Sequence, residues 1–313
     1  MTIYIVKRVL LALITLVLVS LIIFVAAEVL PGNIGRTILG HFATNAQVQA
    51  INVKLGLNRP VLERYWDWIT SFIRGRWGSS YSLQVPVFGL VMRRFLNSII
   101  LGAFALVLIV PVSVGLGVVA ALRRNHFTDR AITLVGMSML ALPEFVTGVL
   151  ALIVLSIQFH WFPVSSVVPS ANPVSIVRNL FLPALPEMVL IFGYVSRMAR
   201  AGTVEVLESN YVRTAVLKGL PRSRVLFRHA LRNSLLPTIT VIAVQAGYLV
   251  GSLVVVETIF NYPGIGNLIY TAALSHDQPV LQAAVFLVAL VYTVTNLTAD
   301  LAYAALNPRV RLG

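Results

Sequence analysis

The stretch YVRTAVLKGLPRSRVLFRHALRNSLLP, residues 211–237, carries six Arg or Lys, one His and no acid. The run before it, residues 203–219, reads helical, with Val204, Leu207, Tyr211 and Ala215 recurring near i+3 and i+4. Glu205 and Glu208 fall in its early turns and Lys218 in its last, as the helix dipole favours. Gly219 suits the left-handed position that closes a helix, and Pro221 suits the start of the next. In that next helix Phe227, Leu231 and Leu235 form an apolar stripe beside Arg224, Arg228 and Arg232. The segment therefore reads as a helix–turn–helix elbow with a basic side, ending at Leu236-Pro237. A basic loop that only sets topology or touches anionic lipid needs charge alone. It does not need Gly219, Pro221 or the apolar stripes, which fit a docking element for a cytoplasmic partner better.

The elbow sits in an oily chain. Of 313 residues, 58% are hydrophobic and 11% charged, with a mean hydropathy of +0.87, whereas soluble domains hold about 25% charged residues. This is the composition of an all-α integral membrane protein. The net charge of +13 is better explained by orientation-setting loops than by nucleic acid. The absence of cysteine excludes a disulfide scaffold, thiolate metal sites and a cysteine nucleophile.

A bilayer span needs about 20 apolar residues. Six candidates appear: Val9–Ala27, Leu96–Leu122, Ala131–Phe159, Leu180–Ser196, Leu235–Phe260 and Pro279–Ala299. The fourth is the weakest, with Pro183, Pro186 and Glu187 near its start. The first imitates a secretory signal, but it is longer than a usual signal core and five more spans follow, so a retained helix is expected. Lys7, Arg8, Arg123, Arg124, Arg130, the eight basic residues from Arg197 to Arg232, Arg309 and Arg311 fall on one side. The charge rule then puts both termini and the elbow in the cytoplasm. The outer 28–95 segment also holds eight Lys or Arg, but loops longer than about 60 residues escape that rule. Within it, Leu62, Tyr65, Trp66, Ile69, Phe72 and Ile73 have helical spacing. They read either as an amphipathic helix on the bilayer surface or as a lid on the outer mouth.

An ionisable residue at a span centre costs about 2.5–3.5 kcal/mol on insertion scales, so it marks function. Glu144, deep in the third candidate span beside Pro143, is the first translocation-path candidate. Glu187 and Glu257 lie nearer span ends, where an interfacial structural role fits better; Glu257 stays a path candidate beside Glu144 and Asp300. Asp300 falls in the inner half of the last span, where it could pair with Arg123. Gly247 and Gly251 form a GxxxG pattern that suits close helix packing. The letters of a dinucleotide fingerprint at 115–120 lie inside an apolar 27-residue run and are rejected. His41, His126, His160, His229 and His276 have no metal spacing, and no phosphate-binding GxxxxGK[ST] occurs. An energy source must then come from another chain.

Taken together, YVRTAVLKGL…RVLFRHALRNSLLPTIT, LGLNRPVLERYWDWI (55–69), VVVETIFNYPGIGNL (254–268) and NLTADLAYAALNPRVR (296–311) make the chain similar over nearly its whole length to ATP-binding-cassette importer permeases of the dipeptide and oligopeptide type, first-subunit kind. The wider superfamily carries Glu-Ala-Ala, three residues, then Gly. Here Arg213, Thr214, Ala215 and Gly219 occupy those places, so Arg replaces the Glu, and the distance from Gly219 to Pro237 is longer than usual. The resemblance implies a single permease domain over 1–313, with six spans in the type I fold, an outer loop at 28–95 and a cytoplasmic coupling loop at 203–234. It implies a coupling helix around 212–220 seated in an ATPase, with Tyr211, Arg213, Thr214, Ala215, Lys218, Gly219 and Leu220 at the contact. Tyr262, Pro263, Gly264 and Gly266 would lie near an outer gate where a delivering protein docks. The implied partners are a second permease, cytoplasmic ATPases holding ATP and magnesium, a substrate-binding protein and membrane lipid. The implied location is the bacterial cytoplasmic membrane, and the implied cargo is a peptide. The chain itself would not be an enzyme. A self-sufficient secondary transporter or channel is the alternative, but it would want polar rings or paired broken helices.

Overall fold

In a computed structural model of the chain, residues 2–29, 34–39, 42–166, 172–221 and 224–306 are described. Apart from one isolated bridge between Ser79 and Pro86, their regular structure is helical. Among the described residues four helices are long and apolar enough to cross a membrane, and two bent pairs raise this to as many as six, the expected number. His41, Arg309 and Arg311 lie outside the described residues, as does the side chain of His229.

The chain divides into two compact units. One comprises Met1–Ile99 and Pro263–Thr298, the other Ile100–Tyr262 and Ala299–Gly313. The first unit holds α1 (Thr2–Val29), α2 (Ile34–Leu39), α3 (Asn45–Lys54), α4 (Val61–Ile73), the start of α5 (Val87–Leu122), and later α12 (Ile265–Leu274) and most of α13 (Gln278–Leu306). Thr44 and Gln47 cap α3 reciprocally, as the Thr-x-x-Gln spacing allows. One side of α4 packs into an aromatic cluster. Tyr65 and Trp68 lie 5.5 and 5.9 Å from Phe24 of α1, while Phe72 lies 4.6 Å from Trp77 and 4.9 Å from Phe286 of α13. The Tyr65 hydroxyl is 2.8 Å from Ser20 Oγ, and Arg64 pairs with Glu28. A second knot forms at buried Asp277. Its carboxylate accepts from the Ser80 hydroxyl, the Tyr81 and Ser82 amides and the Ser82 hydroxyl, so an otherwise costly buried charge is fully partnered.

The second unit is built around α8 (Pro173–Leu207), a continuous helix much longer than the span expected there. Asn172 caps it and Pro173 starts it, the position where a missing N–H costs nothing. Pro183 and Pro186 therefore lie inside the helix rather than at its start. Around α8 pack α6 (Phe127–Ala141), α7 (Glu144–Ala151, continued by a wider π-type turn over Leu152–Gln158) and α11 (Leu236–Ile259). Small residues permit this. A Cβ on Gly193 would stand 2.5 Å from Leu140 Cγ and 2.7 Å from the Gly136 carbonyl. One on Gly117 would stand 2.5 Å from the Ser196 carbonyl, and one on Gly202 would stand 2.4 Å from that of Ser234. Gly251, expected to serve close packing, has open space around it within this chain, and α11 bends by 55° between Leu249 and Gly251.

The third expected span is not straight. Its two halves, Phe127–Ala141 and Glu144–Gln158, meet at 101°. Pro143 lacks an N–H and drives the preceding residue out of the helical region; Leu142 and Pro143 are both extended, with ψ of 124° and 140°.

Candidate functional site

The basic elbow begins differently from the sequence expectation. Residues 203–219 do not form one helix, because α8 runs to Leu207 and Glu208 caps its C-terminal end. Ser209, extended at ψ 150°, starts a separate helix α9 (Asn210–Leu217). Ser and Asn favour helix starts because their side chains compete for backbone partners, and the Ser209 hydroxyl donates to the Val206 carbonyl at 2.5 Å. Glu208 accordingly sits at the end of α8, paired with Arg124, rather than in an early turn.

The corner after α9 forms as the glycine predicts. Gly219 has φ +74°; its N–H donates to the Val216 carbonyl at 3.0 Å, and the Leu220 N–H donates to that of Ala215 at 3.3 Å. This is a Schellman closure, completed by Leu220 packing on buried Val212, Ala215 and Val225. Val212 and Ala215 thus turn inward, so Ala215, expected at a partner contact, is a packing residue. Tyr211, Arg213, Thr214, Lys218 and Gly219 are exposed, as are Val216 and Leu217 at 53% and 80%.

The second arm also departs from expectation. Val225–Ala230 is wound as a π-type turn and leads into α10 (Leu231–Ser234). The wider winding breaks the 3.6-residue register, so Val225 and Ala230 face inward while Phe227 is 71% exposed. Arg224 and Arg232 are exposed, and the Arg228 side chain lies outside the described residues. Pro237 sits in the first turn of α11, where its missing N–H is harmless. Tyr211 is tied back to this arm through Asn233 Nδ2, at 3.3 Å from its hydroxyl.

Carboxylates gather elsewhere in the second unit. Glu144 is not deep within a helix but in the first turn of α7 at the break, half-buried, where the helix dipole favours an anion. Glu187, read from sequence as lying near a span end, is mid-way along α8 and 1% exposed. Its Oε1 accepts from the Ser252 hydroxyl at 2.8 Å, and its Oε2 has no hydrogen-bond partner among the described residues. It lies within electrostatic reach of both Glu144 and fully buried Glu257. Asp300 is half-buried on α13; the Arg123 side chain donates to Thr128 Oγ1 at 3.4 Å.

The turn after α11 is anchored rather than presented. Tyr262 is fully buried in a cluster with Leu101, Leu180 and Leu253, and burial, then nearby Glu257, pushes its phenol pKa upward. In the other unit the Pro263 carbonyl accepts from Asn97 Nδ2 at 2.7 Å, and the Ile265 amide donates to Ser98 Oγ at 2.8 Å. Gly264 and Gly266 are buried, whereas Asn261 is exposed and Pro263 half-buried.

Residues 113–312 match the family described as "Binding-protein-dependent transport system inner membrane component", and residues 1–108 match the corresponding N-terminal component. The chain is 34% identical over 312 residues to the probable peptide ABC transporter permease protein y4tP of Sinorhizobium fredii, covering 99% of this chain and 100% of that one. It is 32% identical over 308 residues to the glutathione transport system permease protein GsiC of Escherichia coli K12 and of Shigella dysenteriae, covering 98% of each chain.

Proposed function

This chain belongs to the binding-protein-dependent transport system inner membrane component family, and from that premise we propose that it moves peptides by alternating access, with the 210–220 corner as its coupling helix. Membership makes it a multi-pass inner membrane permease of an ATP-binding-cassette importer, whose ATPase is a separate subunit, and sets aside the self-sufficient transporter. Peptide cargo is inferred from the names of the relatives.

The observation that carries the coupling reading is the exposed Val216–Leu217 pair on a helix whose end is locked by two backbone bonds. Apolar side chains held rigidly in the open at a charged loop mark a surface that a partner covers. Tyr211, Arg213, Thr214, Lys218 and Gly219 are exposed beside them, while Ala215 and Leu220 hold the corner's shape. ATP and magnesium would reside on the ATPases, and a second permease would complete the path. Both termini and the corner would be cytoplasmic by the basic-residue pattern. Glu144, Glu257 and Asp300, now joined by Glu187, are the proposed polar points along the path. At the outer gate, Tyr262, Gly264 and Gly266 would anchor the turn, and Asn261 and Pro263 would meet the delivering protein.

Lipid is the proposed partner of the outer helix α4. Its inner side touches α1 from Ser20 to Glu28, a rise of about 12 Å, and this support against the outer part of an apolar span favours the reading. Its other side exposes Leu62, Trp66 and Ile73 at 79%, 67% and 76%.

The reading is tested by co-expressing the chain with its genomic neighbours and reconstituting what copurifies. ATP-dependent uptake of a labelled peptide mixture is expected from a complex that contains an ATPase and a second permease. Uptake by this chain alone, without ATP, would overturn it.

A further inference from the structure

We propose that Asp129 and Arg200 are positioning residues that fix the axial register of α8 and so transmit displacement of the 210–220 corner into α6. The inference rests on the coupling reading of that corner. Asp129 lies in the first turn of α6 and is 3% exposed. Its two oxygens accept a fork from Arg200 on α8, Nε to Oδ1 at 2.5 Å and Nη2 to Oδ2 at 2.7 Å. The Asn125 amide donates to Oδ2 at 3.0 Å, and Thr133 Oγ1 lies 3.4 Å from Oδ1. Asn125 has φ +67°, the left-handed turn that brings its N–H round to the carboxylate. One residue earlier, Arg124 pairs with Glu208 at the end of α8. The turn between α5 and α6 therefore holds α8 at Arg200 and touches it again, through an exposed ion pair, at Glu208, two residues before α9.

Packing alone does not supply this grip. Between Gly193 and Gly202, α8 meets its neighbours through Gly117, Gly136, Gly193 and Gly202, with backbone close to backbone. Such surfaces fit tightly but, apart from Leu140 seated on Gly193, offer few interlocking side chains, so a directional polar contact adds to their hold on register. A two-pronged guanidinium–carboxylate contact is directional and tolerates little slip. A buried ion pair is weak evidence for stability, since apolar replacements are often neutral, and fixing register is its best-attested use. Arg200 stands seven residues before Leu207, so a push from α9 that reaches the end of α8 meets the fork along about 10 Å of helix.

The test uses the complete importer, co-expressed with its ATPases, second permease and binding protein and reconstituted in liposomes. ATP hydrolysis is compared with and without the binding protein, which is loaded from a tryptic casein digest. Asp129→Asn and Arg200→Lys are expected to assemble and keep basal hydrolysis, while stimulation by the binding protein falls at least about 5-fold. The exchanged pair Asp129→Arg with Arg200→Asp is expected to recover most of it. Wild-type stimulation in both single variants overturns the proposal, as does an assembled exchanged pair no better than either. If Asp129→Asn fails to accumulate, Arg200→Lys, which keeps the charge and loses the fork, decides alone. Cross-linking a cysteine placed at Leu217 to the ATPase separates the two readings. No cross-link in the otherwise wild-type complex defeats the coupling reading; a cross-link with normal stimulation in the variants defeats only the register fork.

Discussion

Substituting Gly219 probes the corner proposed as the seat of the ATPase. A Cβ at this position would meet nothing within 4 Å, so a new side chain does not clash. Its cost is conformational, because φ +74° lies in the left-handed region. For an ordinary L-residue that region costs about 1–2 kcal/mol, whereas Asn pays less because its short side chain bonds locally. The strained residue can relieve itself by opening the corner, which releases the Gly219 and Leu220 amides from the Val216 and Ala215 carbonyls. A penalty of about 1–2 kcal/mol shifts that opening about 5–30-fold. Hydrogen exchange at residues 219 and 220 should therefore quicken by that factor in Gly219→Ala, more in Gly219→Val and least in Gly219→Asn. ATP-driven uptake should fall in the same order while the amount of membrane-inserted protein holds. Exchange and uptake in Gly219→Val equal to those of the wild type would show that the left-handed corner carries no strain and no coupling role.

Three further outcomes follow from the geometry. Gly193→Ala should lower the detergent-solubilised unfolding temperature, because its Cβ would collide with Leu140 and the Gly136 carbonyl; the overpacking cost is about 1–3 kcal/mol. Gly115→Ala, with nothing within 4 Å, is the control and should cause no loss. Glu187→Gln should accumulate normally, since its amide oxygen still accepts from Ser252, yet import should drop; unchanged import in both Glu187→Gln and Glu187→Ala would remove this residue from the path. In a variant keeping Trp66 as its one tryptophan, fluorescence should be quenched by brominated phosphatidylcholine and little by aqueous acrylamide; the reverse would place α4 away from the bilayer.

Much of the architecture is legible in the sequence because bilayer spans announce themselves by length and composition. Five of the six spans read from hydropathy correspond to helices or bent pairs shifted at their ends. The fourth is longer than its hydropathy suggests: Pro183 and Pro186 look like a helix start, but the start is set by Asn172 and Pro173. Two prolines make Glu187 look terminal, whereas the longer helix holds it near its middle. Pro143 signals a loosened backbone but not a turn of 101°, which moves Glu144 from a helix interior to a helix start. Gly219 was readable because few other residues accept its conformation. The Ser209 break was readable in principle, since Ser-Asn is a helix-start signal, but apolar periodicity running across it masked the boundary. The Asp129–Arg200 fork had no local signal: 71 residues separate the partners, and nothing in the spacing of either announces the other.

The 210–220 corner is proposed as the seat of the ATPase. The chain contains no cysteine, so a single one placed at the 80% exposed Leu217 is unique within it. A short thiol-reactive cross-linker carried on that residue, in membranes with the co-expressed neighbours, is predicted to capture the ATPase. A matched cysteine at exposed Phe127 should capture much less. Equal capture from both positions, or none from Leu217 in a complex that imports, would contradict the account.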